Sequence, residues 1–197
     1  MVAAIILAAG TATRMGQPKQ LLDWGGQPLV RVVAEQVLAA SLDQVLVVVG
    51  HAQTAVTDAL HDLLVQIVHN PQYMDGQSTS LKSGVAALSS EVTAALVVLG
   101  DQPFVTSTII NTIVMTWRDS QAPIVAPSYR GQRGHPVLFA HSLFSELVAI
   151  DGDQGARSLL QRHRSDLRLV SFVDQRPLID IDTWEDYQQM SRLNDTV

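Results

Sequence analysis

The chain has 197 residues, of which 47% are hydrophobic, a formal net charge of -6 and no cysteine. That length fits one domain, residues 1–197, long enough to bury roughly 70% of the surface its unfolded form exposes. The missing thiols exclude disulfides and Cys-held zinc or iron-sulfur centres, and the acidic balance opposes a nucleic-acid-coating surface. No apolar run approaches the roughly 20 residues of a membrane span, and the N-terminus has no signal-peptide pattern. A soluble, cytoplasmic protein with no membrane or nucleic-acid partner is expected.

Residues 2–7 form an apolar run of strand length. Leu7-Ala8-Ala9-Gly10-Thr11-Ala12-Thr13-Arg14-Met15-Gly16-Gln17-Pro18-Lys19 follows, a small-residue loop with two cations where an α/β sheet binds phosphates. Gly10 and Gly16 let backbone N–H groups approach anionic oxygens, while Arg14 and Lys19 supply positive charge. A triphosphate is the natural guest, and an ordinary strand-to-helix connection is the alternative. No Gly-Lys-Ser/Thr ends the loop and no Gly-x-Gly-x-x-Gly occurs in it, so it is neither a P-loop nor a dinucleotide fingerprint.

The stretch from Asp23 to Pro28 reads as a turn or short hairpin before a helix over 28–40. A strand at 44–49, a helix at 53–64 and a strand at 65–69 come next. The polar loop from Asn70 then enters a helix over 77–88. Its start can offer N–H groups and hydroxyls to a ligand, or Ser78 or Thr79 can serve as a plain N-cap. The strand at 94–99 ends in Gly100-Asp101-Gln102-Pro103, where Pro103 stops the strand and Asp101 sits where a hard-oxygen metal ligand belongs. An Asp capping the next turn is the competing reading.

After a helix over 106–118 and a strand at 123–126, residues 129–136 form a glycine-rich excursion with extended flanks. Arg130-Gly131-Gln132-Arg133-Gly134-His135-Pro136 either closes over an anionic acceptor or is a solvated hairpin. A helix at 142–149 leads to Asp151-Gly152-Asp153-Gln154-Gly155-Ala156-Arg157, which lacks the spacing of a calcium loop, and then to a helix at 155–163. Strand candidates at 167–173 and 178–181 complete the sheet before a helix at 183–193. An extended 178–182 segment turns Asp180 and Asp182 to one face and Ile179 and Ile181 to the other. Both acids could approach one metal, or Asp182 or Thr183 could cap the last helix.

This βαβ alternation implies an α/β fold: a Rossmann-like three-layer arrangement with a mostly parallel central sheet and helices on both faces. Ligands then bind beyond the strand C-termini, so the Gly10 loop, the segment after His69 and the Gly100-Asp101 turn share one edge.

The string from Leu7 to Lys19 closely resembles the signature loop of the MobA-like nucleotidyltransferases that build molybdenum cofactor dinucleotides. Gly100-Asp101-Gln102-Pro103 resembles that family's metal-binding signature. The glycine-rich excursion and the Asp151 loop resemble its acceptor-side motifs, Gly-x-x-Gly-His-Pro and Asp-Gly-Asp-x-Gly-Ala-Arg. The resemblance implies a Rossmann-like transferase that joins CMP from CTP, or another NTP, to the terminal phosphate of a molybdopterin-type acceptor, releasing pyrophosphate with the help of Mg2+. It implies catalytic roles for Arg14, Lys19 and Asp101. Nucleotide contacts are implied at Leu7, Ala8, Ala9, Gly10, Arg14, Lys19, Gly76, Gln77, Ser78, Ser80 and Asp101. Acceptor contacts are implied at Arg133, His135 and Asp153, and metal ligation at Asp101, Asp180 and Asp182.

Leu7-Ala8-Ala9-Gly10 and Gln17-Pro18-Lys19 look like the cytidylyl branch, which makes CTP the expected donor. A recipient molybdoenzyme is an implied partner. The rival readings are a guanylyltransferase of the same cofactor, transfer to another small phosphate, and a nucleotide-binding cofactor chaperone. Neither a Gly-x-Ser-x-Gly elbow nor a His-Glu-x-x-His pattern occurs. A phosphate monoester is already anionic, so positioning and charge neutralisation suffice for its chemistry.

Overall fold

Strands that are apolar on both faces alternate with helices that are apolar on one, and this sorts the chain into three layers. The computed structural model describes residues 1–11, 15–152, 155–181 and 183–194. Strands β1 (Val2–Ala8), β2 (Gln44–Val49), β3 (Gln66–His69) and β4 (Ala94–Leu99) pair in parallel in the order β3-β2-β1-β4. Ile5 of β1 sits opposite Leu46 on one side and Val97 on the other. The sheet continues through β5 (Ile124–Tyr129), the two-residue β6 (Gln132–Arg133), β7 (Val137–Ala140) and β8 (Leu167–Phe172).

One face of β1, with Val2, Ala4, Ile6 and Ala8, packs under α1 (Leu29–Leu38) and α4 (Ser107–Ser120). The opposite face, with Ala3 and Ile5, is covered by α3 (Gln77–Ala86), α5 (Phe144–Val148) and α6 (Arg157–Arg162). Between α1 and α3 in sequence lies α2 (Gln53–Ala59), which adds Val56 to the first core. Gly84 permits the closest approach of α3 to the sheet: a Cβ there would fall 2.4 Å from Ile5 Cγ2.

Two differences from the expected elements bear on the site. The residues after the glycine-rich excursion form β7, which inserts between β4 and β5 and runs antiparallel to both. Its N-terminal end therefore lies at the edge where the parallel strands finish. Residues 178–181 do not join the sheet as expected. A 3-10 turn at Arg176–Leu178 containing Pro177 redirects the chain, and a proline ring has no N–H to give to a ladder. Ile179 and Ile181 instead pack in a third cluster with Met15, Leu22, Trp24, Leu29 and Met190. That cluster holds the last helix, α7 (Trp184–Asn194), against the segment that follows the first strand.

No helix among the described residues is long and apolar enough to cross a membrane.

Candidate active site

Two hollows open beyond the C-terminal ends of the parallel strands. One, of about 620 Å3, lies between the loop after β1 and the β3-α3 connection, lined by Ala9, Gly10, Gln20, Tyr73, Met74 and Gly76 among others. The second, of about 640 Å3, lies beneath the β6-β7 turn and the start of α6, with Gln102, Arg133, His135, Arg157 and Asp180 in its wall. Leu7, Lys19, Gln77, Leu99 and Asp101 line both, so the hollows are two lobes of one cleft. Each lobe has the volume of a typical small-molecule site.

Lys19 and Asp101 form an ion pair at the waist, with side chains only 17% and 15% exposed. Asp101 leaves the sheet at the end of β4, and Lys19 opens a 3-10 turn after Pro18. Partial burial strengthens the pairing relative to a surface bridge. It also places a cation and a hard-oxygen donor side by side, which suits a bound polyphosphate with its divalent counterion. The buried Gln20 braces the first lobe by donating Nε2 to the Gly10 carbonyl at 2.9 Å.

The β3-α3 connection is held by Asn70, which is 1% exposed. Its Nδ2 donates to Thr79 Oγ1 at 2.8 Å and to Ser80 Oγ at 2.9 Å, and its Oδ1 accepts from the Gln72 N–H at 3.0 Å. Gly76 precedes α3 with φ 111, a left-handed conformation that glycine adopts without steric cost. The helix begins directly after it, so neither Ser78 nor Thr79 is the N-cap; Thr79 Oγ1 instead bonds the Gly76 carbonyl at 2.8 Å. Gly76 and Gln77 face the cleft as expected. Ser78 and Ser80 are buried and are absent from the described walls of both lobes.

In the second lobe Tyr129 donates its hydroxyl to the His135 carbonyl at 2.7 Å, tying the β6-β7 turn to β5. Burial pushes the His135 imidazole down to about 4, Asp101 pulls the other way, and the nearby Arg133 and Arg157 add to the depression. His135 is therefore neutral near pH 7, a hydrogen-bonding group flanked by two guanidinium groups. Such a set matches an anionic phosphate.

Asp180 reaches the cleft because Ile179 and Ile181 turn into the third cluster, the alternation expected for this segment. Gln102 donates Nε2 to Asp180 Oδ1 at 2.7 Å, linking the end of β4 to the C-terminal segment. Two carboxylates, Asp101 and Asp180, thus line the same lobe. Among the described residues no group of three or more acids or histidines forms a metal cage. A pair of carboxylates is nonetheless the donor set that a magnesium-type ion uses alongside water and phosphate oxygens. The final helix is capped by Thr183, whose Oγ1 accepts from the Asp186 N–H at 3.1 Å while Asp186 Oδ2 accepts from the Thr183 N–H at 2.9 Å.

Of the residues expected at the site, Leu7, Ala9, Gly10, Lys19, Gly76, Gln77, Asp101, Arg133, His135 and Asp180 meet in this cleft. Ala8 is buried in the sheet. Arg14, Asp153 and Asp182 lie outside the described residues. Sequence reasoning passed over Gln102, Gln20 and Arg157 as individual site residues. Their signal was position: each stands one or two residues after a glycine, acid or lysine already singled out.

The family profile of the MobA-like NTP transferase domain matches residues 4–167. A protein named nicotine blue oxidoreductase from Paenarthrobacter nicotinovorans is 31% identical, over 98% of this chain and 96% of its own. The molybdenum cofactor cytidylyltransferase of Escherichia coli (strain K12) is 27% identical over 93% of this chain and 92% of its own. Among solved structures, the Mycobacterium tuberculosis H37Rv protein Rv0371c in complex with manganese superposes with a TM-score of 0.83 at 27% identity, covering 100% of this chain and 99% of its own.

Proposed function

The chain belongs to the MobA-like NTP transferase family, and from that premise we propose that it transfers CMP from CTP to the terminal phosphate of a molybdopterin-type molybdenum cofactor. The observation that carries this reading is the two-lobed cleft with Lys19 and Asp101 at its waist. The glycine-loop lobe takes the nucleoside triphosphate, and the lobe of Arg133, His135 and Arg157 takes the phosphate acceptor. An oxygen of the acceptor phosphate attacks the α-phosphorus of CTP, the bond from that phosphorus to the bridging oxygen breaks, and pyrophosphate leaves. The product is joined by a new phosphoanhydride.

Lys19, with Arg14, neutralises charge that builds on the departing phosphates, and Arg133 and Arg157 hold the acceptor in line. Neutral His135 orients the acceptor by hydrogen bonding without taking its proton. Asp101 and Asp180, with Asp182, would hold Mg2+, whose chemistry there is charge neutralisation of the triphosphate. All 197 residues act as one nucleotidyltransferase domain in this reading, in the cytoplasm, with a molybdoenzyme as recipient of the product. The cytidylyl relative and the Ala9 and Pro18 positions favour CTP over GTP.

The test is to incubate the protein with molybdenum cofactor, Mg2+ and each of CTP, GTP, ATP and UTP, following pyrophosphate and the dinucleotide. CTP-selective product is expected. GTP selectivity would move the branch, and no product with any nucleotide would overturn the reading. A second reading, an oxidoreductase, is favoured by the name of the 31% identical relative. Oxidation of NADH or NADPH, measured at 340 nm with candidate dyes, separates the two.

A further inference from the structure

Gln102 is the most economical link between the two carboxylates of the cleft, and it is only half satisfied. The side chain is 3% exposed. Its Nε2 donates to Asp180 Oδ1 at 2.7 Å, while its Oε1, buried beside that bond, has no hydrogen-bond partner among the described residues. An apolar side chain of the same length would avoid the cost of a buried unpaired carbonyl, so stability alone does not explain an amide here.

What the amide achieves is orientation. Asp180 lies on a segment that stays out of the sheet, with the Ile179 and Ile181 side chains packed in the third cluster on its far face. Gln102 immediately follows Asp101, so its donor ties Asp180 to the strand end that carries the other carboxylate. We infer that Gln102 is a positioning residue for the divalent cation of the proposed reaction, fixing Asp180 so that it and Asp101 present oxygens to one ion. The inference rests on the nucleotidyltransferase reading and adds a residue to it.

The role is that of an outer-shell partner that orients a ligand, whose loss typically weakens metal affinity by about 10- to 100-fold. The probe is Mn2+, titrated into the protein with and without CTP and followed by the electron paramagnetic resonance of the free ion. Gln102→Met keeps length and volume and removes the donor. It is expected to weaken Mn2+ binding by about 10-fold or more while the thermal midpoint stays level or rises, because the unpaired carbonyl is gone. Gln102→Leu, which also lacks the donor and adds no charge beside the two carboxylates, is expected to weaken binding in the same direction and covers the case in which the Met variant misfolds.

The readout specific to positioning is the cycle with Asp180→Asn. If Gln102 acts through Asp180, adding Gln102→Met to Asp180→Asn changes Mn2+ affinity less than about twofold. Folded Gln102 variants that bind Mn2+ like the parent, or losses that add fully in the double variant, would overturn the inference and leave the nucleotidyltransferase reading intact. A parent protein that takes up no Mn2+ with CTP present would overturn both.

Discussion

Gly84→Ala tests whether the contact between α3 and the sheet sets the geometry of the cleft. The added Cβ would lie 2.4 Å from Ile5 Cγ2, 3.2 Å from Val48 Cγ2 and 3.3 Å from Ile5 Cδ1. Carbon atoms pack comfortably at about 3.5 Å or more, so the helix or the strand must yield by about 1 Å. Ile5 and Val48 are fully buried in adjacent strands and have no open space to retreat into. Such overpacking costs about 1–3 kcal/mol, and alanine recovers about 1 kcal/mol of helix propensity. The net loss is up to about 2 kcal/mol, or up to about 8 °C in the thermal midpoint of a chain of this size.

The same displacement has a functional reading, because the first turn of α3 carries Gln77 between the two lobes. A shift of about 1 Å at a reacting site costs up to about 100-fold in rate, and a loss of about 10-fold or more in kcat/KM for pyrophosphate release is expected. Urea unfolding and steady-state kinetics measure the two effects. Ile5→Ala removes the clashing methyl, so its own cost of about 2–5 kcal/mol should be smaller in the Gly84→Ala background than in the parent. A Gly84→Ala protein with unchanged midpoint and unchanged kinetics would refute the reasoning.

Asp101→Ala should abolish pyrophosphate release while circular dichroism shows an intact fold, and near-normal turnover would remove Asp101 from the metal role. Lys19→Met should lower kcat by about 100- to 1000-fold, the usual loss for one charge-stabilising donor, with gel filtration unchanged. Because burial holds His135 down to about 4, the unfolded chain binds a proton between about pH 6.5 and about pH 4 that the folded chain refuses. Folding stability therefore falls as pH drops through that window, by about 2–3 kcal/mol at most, and urea midpoints of the parent against His135→Gln should converge above it. An imidazole resonance of His135 that titrates near pH 6.5 would contradict this. Thr183→Ala removes the cap of α7 and should cost about 0.5–2 kcal/mol, read from urea unfolding.

The strands at 44–49 and 94–99 are legible because they are buried on both faces and carry no polar interruption within their apolar runs. β7 is harder to read: Val137, Leu138, Phe139 and Ala140 follow a proline, and only pairing with β4 and β5 makes them a strand running the other way. Residues 178–181 alternate as a strand does, yet Ile179 and Ile181 found a better partner in Met15 and Trp24 than in the sheet edge. At the site, the residues at strand ends converge because parallel strands finish on one side. Ser78 and Ser80 could not be assigned to a face from α3 itself, where Leu81 and Val85 are the only large apolar side chains. Tertiary packing at Gly84 decides that face. The Gln102 bond to Asp180 spans distant parts of the chain, so local pattern could not reveal it.

The third cluster joins Met15 and Trp24, near the start of the chain, to Ile181 and Met190 near its end. Synthesis therefore delivers the glycine loop, Lys19 and Asp101 long before the segment that supplies Asp180. A ribosome-bound chain ending short of that segment can build most of the sheet but has only one of the two described carboxylates. In the proposed reaction, competence comes with closure of the two ends on each other, so a chain cut short would keep the glycine loop and Lys19 without the second carboxylate of the proposed cation site.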